Sequence, residues 1–126
     1  MKLKILIIED NDQNMYMLTY LLEDQYTILQ AFNGIDGIEM ALKEVPDIIL
    51  LDIQLPGMDG YAIARELRRH PALKDVPVIA VTSYAMLGDK ERIMRAGATG
   101  YIEKPIDPDT FVSQMNSFLP KQLIKS

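Results

Sequence analysis

The chain has 126 residues, of which 48% are hydrophobic and 25% are charged. This length suits one folded domain, and the balance of apolar and charged residues excludes a disordered or low-complexity chain. The formal net charge of −5 opposes sequence-independent attraction to nucleic acid and to anionic lipid. With no cysteine and one histidine, a disulfide framework and a zinc cluster are excluded, so a bound metal would need oxygen ligands.

The apolar runs of this chain are short, and the amino terminus lacks the apolar core of a signal peptide. We therefore expect no membrane insertion and a cytoplasmic location. We expect residues 1–120 to form one domain and residues 121–126 to form a short tail. That tail is too short for an output domain, so we expect output through contacts with other proteins.

Apolar runs alternate along the chain with stretches of helical periodicity. The runs predict buried strands, because a parallel strand covered on both faces is apolar throughout. In chain order they are 5–8, the weaker 26–29, 48–51 and 78–81. The intervening stretches space apolar residues by three or four, which predicts helices that pack through one face. In chain order these faces are Met15, Leu18, Leu22; Ile35, Ile38, Leu42; and Ile63, Leu67.

The last third of the chain continues the alternation. Gly97 and Gly100 predict the end of a fourth helix and a turn into a short strand at 101–103. Asp107–Pro108 predicts the N-cap and first position of a last helix, whose apolar face is Phe111, Met115 and Phe118. Strand-helix alternation of this kind requires right-handed crossovers and a parallel sheet, with ligands at the carboxyl ends of the strands.

The third predicted helix carries three arginines, Arg65, Arg68 and Arg69. A basic stretch on a helix is most often a solvated face, and we expect that here. His70, which precedes a proline, is predicted to lie where this helix ends.

Polar side chains follow the predicted strands. Glu9 and Asp10 follow the first strand, Asp52 ends the third, Thr82 ends the fourth and Lys104 follows the fifth. Neighbouring strands lie about 5 Å apart, so the three carboxylates would crowd together if the first and third strands were adjacent. Such a cluster suits Mg²⁺, and a carboxylate beside Mg²⁺, an ammonium and a hydroxyl suits phosphoryl transfer onto aspartate.

Four segments in this order resemble the receiver domain of two-component response regulators: 8–11, 51–60, 80–83 and 101–105. The resemblance covers 4–119 and implies an α/β fold of the flavodoxin-like (βα)5 type, a doubly wound sandwich whose five-stranded parallel sheet has the order 2-1-3-4-5. Within the family, Asn11, Asn14-Met15, 52–54 and 85–92 are similar to stand-alone, single-domain cell-cycle receivers and to receivers of hybrid kinases.

The resemblance implies a chemical role for each acidic residue. Asp52 accepts the phosphoryl group, and the metal ion is Mg²⁺, with Mn²⁺ as the alternative ion. Its ligands are Glu9, Asp10, Asp52 and the backbone carbonyl of Gln54. The side chain of Gln54 is also a candidate gate for the hydrolytic water and would tune the lifetime of the phosphoryl group.

Further residues take roles by the same resemblance. Thr82 and Lys104 bind the phosphoryl oxygens, and Tyr101 is the aromatic switch residue. Tyr84 is a second candidate gate, and Lys104–Pro105 is a candidate cis peptide bond.

The implied function is a phosphorylation-activated signalling switch of a phosphorelay. The donor is a sensor histidine kinase or a histidine phosphotransfer protein. The signal passes to a downstream protein through the face formed by helix 4, strand 5 and helix 5, without direct contact with nucleic acid. Such a protein is not an enzyme, although it assists its own phosphorylation and dephosphorylation.

Three other functions are compatible with parts of this pattern. An aspartyl-phosphate phosphatase needs a second acid two residues after the nucleophile, where this chain has Gln54. A flavodoxin-type carrier needs a phosphate-binding loop after strand one, where Glu9, Asp10 and Asp12 would repel phosphate. A receiver-like adaptor that is never phosphorylated remains, although every phosphorylation residue is present.

Overall fold

The computed structural model describes residues 2–55, 57, 59–83 and 87–123. Five strands in these ranges form one parallel sheet with the order β2-β1-β3-β4-β5, which confirms the fold class implied by the resemblance. The strands are β1 (Leu3–Ile8), β2 (Tyr26–Ala31), β3 (Ile48–Asp52), β4 (Val78–Thr82) and β5 (Gly100–Glu103). The α-helices are α1 (Asp12–Leu22), α2 (Gly34–Glu44), α3 (Gly60–Arg69), α4 (Leu87–Arg95) and α5 (Phe111–Asn116). Short 3₁₀ turns follow α3 and α5, at Pro71–Leu73 and Lys121–Leu123.

The sheet separates two apolar cores. Residues that alternate along each central strand point to opposite faces, so the same strand feeds both cores. One core lies under α2, α3 and α4 and includes Leu6, Ile8, Leu51, Ile63 and Leu67. The other lies under α1 and α5 and includes Ile5, Leu18, Leu50, Phe111 and Met115. Strands β3 and β4 are buried along their whole length, as their unbroken apolar runs predict.

Helix α2 packs through only part of the face that its periodicity predicts, since Ile38 is partly buried against the core as predicted. Ile35 is 65% exposed and Leu42 is 38% exposed, so the prediction that they face the core is wrong. Gly34, Gly37 and Ala41 are the buried residues of this helix. A Cβ on Gly37 would lie 2.6 Å from Cδ1 of Ile8, so the helix approaches β1 too closely for a large side chain. The close approach of the α2 backbone to β1 therefore requires small residues at this contact, and the larger Ile35 and Leu42 remain exposed.

The last helix begins one turn later than predicted. Asp107–Pro108 lies in the turn that leads into α5: the Asp107 carbonyl accepts a hydrogen bond from the backbone N–H of Thr110 (3.1 Å), which closes the turn, and one of helical spacing from Phe111 (2.9 Å). The Asp107 carboxylate accepts one from the backbone N–H of Asp109, at 2.9 Å. Phe111 and Met115 are fully buried as predicted, whereas Phe118 lies beyond the end of α5 and is half-buried against the same core.

The basic stretch on α3 is solvated only in part. Arg65 and Arg69 are exposed, but Arg68 is half-buried, so its prediction as part of a solvated face is wrong. Its Nε donates to the carbonyl of Gly97 at 2.7 Å, and its Nη1 donates to the carbonyl of Val76 at 2.6 Å. Burial lowers the pKa of Arg68, and the charge of Asp75 acts in the opposite direction. An arginine can leave solvent here because backbone carbonyls replace water as acceptors.

His70 follows the last residue of α3, as predicted. Its Nε2 lies 3.1 Å from Oε2 of Glu66, one turn earlier on the helix. Within the described ranges, no helix combines the length and the hydropathy required to cross a membrane.

Candidate functional site

The strand register brings the predicted site residues to one edge of the sheet. Ile8 is opposite Leu51, so Glu9 follows β1 beside the end of β3, where Asp52 lies. Thr82 ends β4, and it is opposite Glu103, after which comes Lys104. All of these residues lie at carboxyl ends of parallel strands, where open α/β sheets bind their ligands.

Three carboxylates meet at this edge. Glu9, Asp10 and Asp52 each offer one oxygen, and these oxygens all lie within 4.8 Å of one another. Glu9 is 1% exposed and Asp52 is 4% exposed, whereas Asp10 lies at the surface. Two of the three charges are therefore removed from water, where their mutual repulsion is weakly screened.

Backbone N–H groups fix one oxygen of each buried carboxylate. The backbone N–H of Asn11 donates to Oε2 of Glu9 at 3.1 Å, and that of Gln54 donates to Oδ1 of Asp52 at 2.9 Å. Nζ of Lys104 lies 3.3 Å from Oδ2 of Asp52 and 3.8 Å from Oε1 of Glu9. The lysine thus reaches the second oxygen of each carboxylate.

Glu9 shows the electrostatic imbalance of the cluster. Burial, and to a lesser degree the neighbouring Asp52, raise the pKa of Glu9 to about 7 against the opposing effects of the Asn11 N–H and of Lys104. Oε1 of Glu9 is buried without a hydrogen-bond partner. One ammonium does not neutralise three clustered carboxylates, and an unpaired buried oxygen is costly. The all-oxygen donor set, together with this oxygen that lacks a hydrogen-bond partner and lies 3.8 Å from Nζ of Lys104, fits a hard divalent cation such as Mg²⁺.

Thr82 is fully buried at the end of β4. Its neighbour Ser83 binds Gln54: the backbone N–H and the Oγ hydroxyl of Ser83 donate to Oε1 of Gln54, at 3.2 and 2.7 Å. The Gln54 side chain thus joins the loop after β3 to the end of β4. The sequence predicted no role for Ser83. Its position directly after Thr82, the last residue of β4, could have indicated this contact with the loop after the neighbouring β3.

The loop after Asp52 is held close to the start of α3. The backbone N–H of Gly60 donates to the carbonyl of Ile53 at 3.1 Å, and Asp59 caps α3 by accepting from the backbone N–H of Ala62 at 2.8 Å. A Cβ on Gly60 would lie 2.4 Å from Cα of Ile53. Only glycine allows this approach, which fixes the loop that carries Gln54.

Tyr101 lies apart from the carboxylate cluster. Its ring is half-buried, with its centroid 6.0 Å from that of the Phe118 ring and 5.1 Å from Nζ of Lys90. The Lys104–Pro105 peptide bond is cis, as predicted. Tyr84, the second candidate gate, lies outside the described residues.

Comparison with known proteins assigns the family. A model of the response regulator receiver domain matches residues 5–116. The chain belongs to that family. This receiver is 40% identical over 116 residues to the polar-differentiation response regulator DivK of Brucella anthropi. The matched region covers 91% of this receiver and 94% of that DivK. It is 39% identical over 116 residues to DivK of Brucella ovis, with the same coverage.

Solved receiver structures share the fold. The chemotaxis response regulator CheY4 of Vibrio cholerae superposes with a TM-score of 0.90 at 26% identity, covering 94% of this receiver and 100% of CheY4. The receiver domain of the sensor histidine kinase PA1611 of Pseudomonas aeruginosa superposes with a TM-score of 0.84 at 31% identity, over 94% and 98% of the two chains. That structure is described with a magnesium ion coordinated in its active-site cleft.

The receiver is therefore a phosphoacceptor signalling switch of a two-component system. Three carboxylates that point to one place form its acidic pocket. Receiver domains bind Mg²⁺ at such a pocket and interact with histidine kinases or phosphotransfer proteins. The relatives include both kinds named by the sequence resemblance, a response regulator and the receiver of a sensor kinase.

Proposed function

We propose that Asp52 accepts the phosphoryl group from a phosphohistidine of a sensor kinase or phosphotransfer protein. The observation that carries the proposal is the position of its Oδ2, beside the Lys104 ammonium at 3.3 Å, while Oδ1 is held by the backbone N–H of Gln54. In the reaction an Asp52 oxygen forms a bond to phosphorus as the bond from phosphorus to the histidine nitrogen breaks. The imidazole leaves with the bonding electron pair and takes a proton from solvent.

Glu9, Asp10, Asp52 and the Gln54 carbonyl would hold Mg²⁺, and Mn²⁺ offers the same preference for oxygen ligands. The all-oxygen donor set and the buried Oε1 of Glu9, which lacks a hydrogen-bond partner, support this assignment. When bound, the metal offsets negative charge on the phosphoryl oxygens. The pocket's own residues supply position: backbone N–H groups orient Glu9 and Asp52, and Lys104 attracts the incoming phosphoryl group.

Phosphorylation brings roughly −1.5 to −2 charges into this pocket. We expect the Lys104 ammonium and the Thr82 hydroxyl to move toward the phosphoryl oxygens, since Thr82 ends β4, which pairs with β3 beside Asp52, and Nζ of Lys104 already lies 3.3 Å from Oδ2 of Asp52. Tyr101 then turns in behind Thr82. The phosphoryl group shifts this two-state equilibrium through contacts that it makes in only one of the states. The face formed by α4, β5 and α5 thereby changes, and a downstream protein binds the changed face.

Gln54 is proposed to tune the lifetime of the phosphoryl group. Its side-chain oxygen is held by Ser83, beside the mouth of the pocket. Releasing that oxygen would change how a hydrolytic water is oriented or blocked. A comparison of dephosphorylation rates for wild type, Gln54→Ala and Ser83→Ala tests this role. Equal rates in all three proteins would refute it.

Transfer of labelled phosphoryl groups tests the assignment of Asp52. We expect wild type to be labelled by phosphohistidine donors and by acetyl phosphate in the presence of Mg²⁺, and Asp52→Asn to lose the label by at least about 100-fold because an amide is a poor nucleophile. Asp59→Asn is the matched control, since asparagine also caps a helix and should leave labelling intact. Label retained by Asp52→Asn would show that another residue is the acceptor. Wild type that takes up no label, yet binds a downstream protein, would favour the unphosphorylated adaptor.

A further inference from the structure

Lys90 makes contacts that its place in the helix does not explain. It is the fourth residue of α4, and its Nζ lies 5.1 Å from the centroid of the Tyr101 ring and 3.5 Å from Oε1 of Glu103. A cation near the amino-terminal end of a helix opposes the helix dipole, whereas Arg92 and Arg95 near the other end complement it. The helix dipole therefore gives no reason for a lysine at this position.

The two partners of Lys90 lie on the same face of β5. Tyr101 and Glu103 are two residues apart on a strand, so their side chains point to the same side of the sheet. Glu103 is directly opposite Thr82 in the pairing of β4 with β5. The lysine therefore spans from the ring of Tyr101 to the strand position beside the phosphoryl-binding hydroxyl. Among the described residues, this contact connects the amino-terminal part of α4 to Tyr101.

We propose that Lys90 is a positioning residue that holds Tyr101 in the conformation seen here, half-buried beside Phe118 and Lys90 and termed the outer conformation, and so sets the resting equilibrium of the switch. The inference rests on the proposed function, in which Tyr101 turns in behind Thr82 upon phosphorylation. A ring that turns in leaves the ammonium of Lys90, so the cation–π contact exists in only one of the two states. A contact made in one state alone shifts the equilibrium toward that state.

The size of the effect follows from the exposure of the contact. The Lys90 side chain is 34% exposed, and a cation–π pair at such a site changes a two-state equilibrium by about two- to five-fold. A bias of this size keeps the unphosphorylated protein in the outer conformation while leaving the change accessible to phosphorylation. The apparent affinity for a phosphoryl mimic changes by the same factor, because it scales with the population of the binding-competent state.

The same helix offers a matched control. The guanidinium carbon of Arg92 lies 4.0 Å from the centroid of the Tyr61 ring, on the neighbouring helix α3. Arg92→Gln removes from α4 a cation that lies over the Tyr61 ring, and it leaves Tyr101 untouched. Lys90→Gln removes the contact with Tyr101, and Lys90→Arg keeps a cation that can lie over the ring.

Nuclear magnetic resonance of protein labelled with ¹³C in its tyrosine rings tests the proposal. The Tyr101 signal is assigned by its loss in Tyr101→Phe, and beryllium fluoride with Mg²⁺ serves as the phosphoryl mimic. In Lys90→Gln we expect the unliganded Tyr101 signal to move toward its liganded position, and the apparent affinity for the mimic to rise about two- to five-fold. Lys90→Arg and Arg92→Gln should retain the wild-type signal and affinity.

The outcomes separate this proposal from the proposed function. If the mimic leaves the Tyr101 signal of wild type unchanged, the switch role of Tyr101 is wrong and the role of Lys90 is wrong with it. If wild type responds but Lys90→Gln retains the wild-type signal and affinity, only the role of Lys90 is wrong. An equal shift in Arg92→Gln would assign the effect to general loosening of α4, and an equal shift in Lys90→Arg would exclude the cation as its cause. Either result overturns the proposal.

Discussion

Arg68 joins several segments of the chain through one side chain. Its guanidinium donates to the carbonyls of Leu73 and Val76, before β4, and to Gly97 and the Thr99 hydroxyl, before β5. These acceptors lie at the opposite end of the sheet from the carboxylate cluster. The contact therefore fixes the end of α4 that is remote from the phosphorylation pocket.

We expect Arg68→Gln to lower the free energy of unfolding by about 2–3 kcal/mol, because hydrogen bonds to a charged group are lost and half-buried carbonyls are left without donors. Chemical denaturation followed by circular dichroism measures this change. Arg65→Gln is the control on the same helix, and since Arg65 is exposed its effect should stay within about 0.5 kcal/mol. Equal effects of the two substitutions would mean that the Arg68 contacts contribute no stability.

At the scale of elements, two glycines in and after the loop beyond β3 act in different ways. Gly60 begins α3 against the backbone of Ile53, where an added Cβ would lie 2.4 Å from Cα. Gly57 has a φ of 85° but has open space around its Cβ position. One glycine is thus required by contact with the loop backbone, and the other by its own backbone conformation. Gly60 is the glycine whose contact holds α3 against the loop that carries Gln54.

We expect Gly60→Ala to weaken Mg²⁺ binding at least about fivefold, because α3 and the loop after Asp52 must move apart and a displacement of well under 1 Å disturbs a metal site. Gly57→Ala introduces local strain of about 1–2 kcal/mol and should change Mg²⁺ affinity less. Isothermal titration calorimetry compares the two variants with wild type. If Gly57→Ala weakens binding as much as Gly60→Ala, the backbone contact with Ile53 does not position the site.

At the scale of the whole molecule, the acidic pocket places function and stability in conflict. Glu9 and Asp52 are buried among apolar strands, and the pKa of Glu9 is raised to about 7 by burial and by Asp52. The fold thus holds negative charge that Lys104 only partly offsets. A divalent cation that binds the folded pocket and not the unfolded chain would stabilise the whole domain.

We expect millimolar Mg²⁺ to raise the melting temperature of wild type, with a stabilisation of about 1–3 kcal/mol when the ion exceeds its dissociation constant by about 10- to 100-fold. Asp10→Asn should abolish most of this rise, because it removes an exposed ligand without disturbing the core. Asp12→Asn is the neighbouring control and should retain the rise. Calorimetric scans with and without Mg²⁺ provide the measurement. A full rise in Asp10→Asn would exclude that carboxylate from the metal site.

Patterns local to the sequence were enough to predict the layers of the fold and the place of the site. Unbroken apolar runs at β3 and β4 predicted buried strands, and polar residues after four of the strands predicted a site at one edge of the sheet. These predictions succeed because the burial of a strand and the residue at its end are local properties of the chain. The resemblance of four segments to receivers supplied the strand order and the residue roles.

The contacts between the elements depend on how the chain packs in three dimensions. The helical period of α2 is visible in the sequence. That Gly37 and not Ile35 packs against the sheet depends on how closely the helix approaches Ile8. The charge of Arg68 is visible too, yet its acceptors come from separate segments that meet only in the fold. The contact of Lys90 with Tyr101 arises in the same way. Distances between residues remote in the chain are set by packing, so patterns within one element cannot predict them.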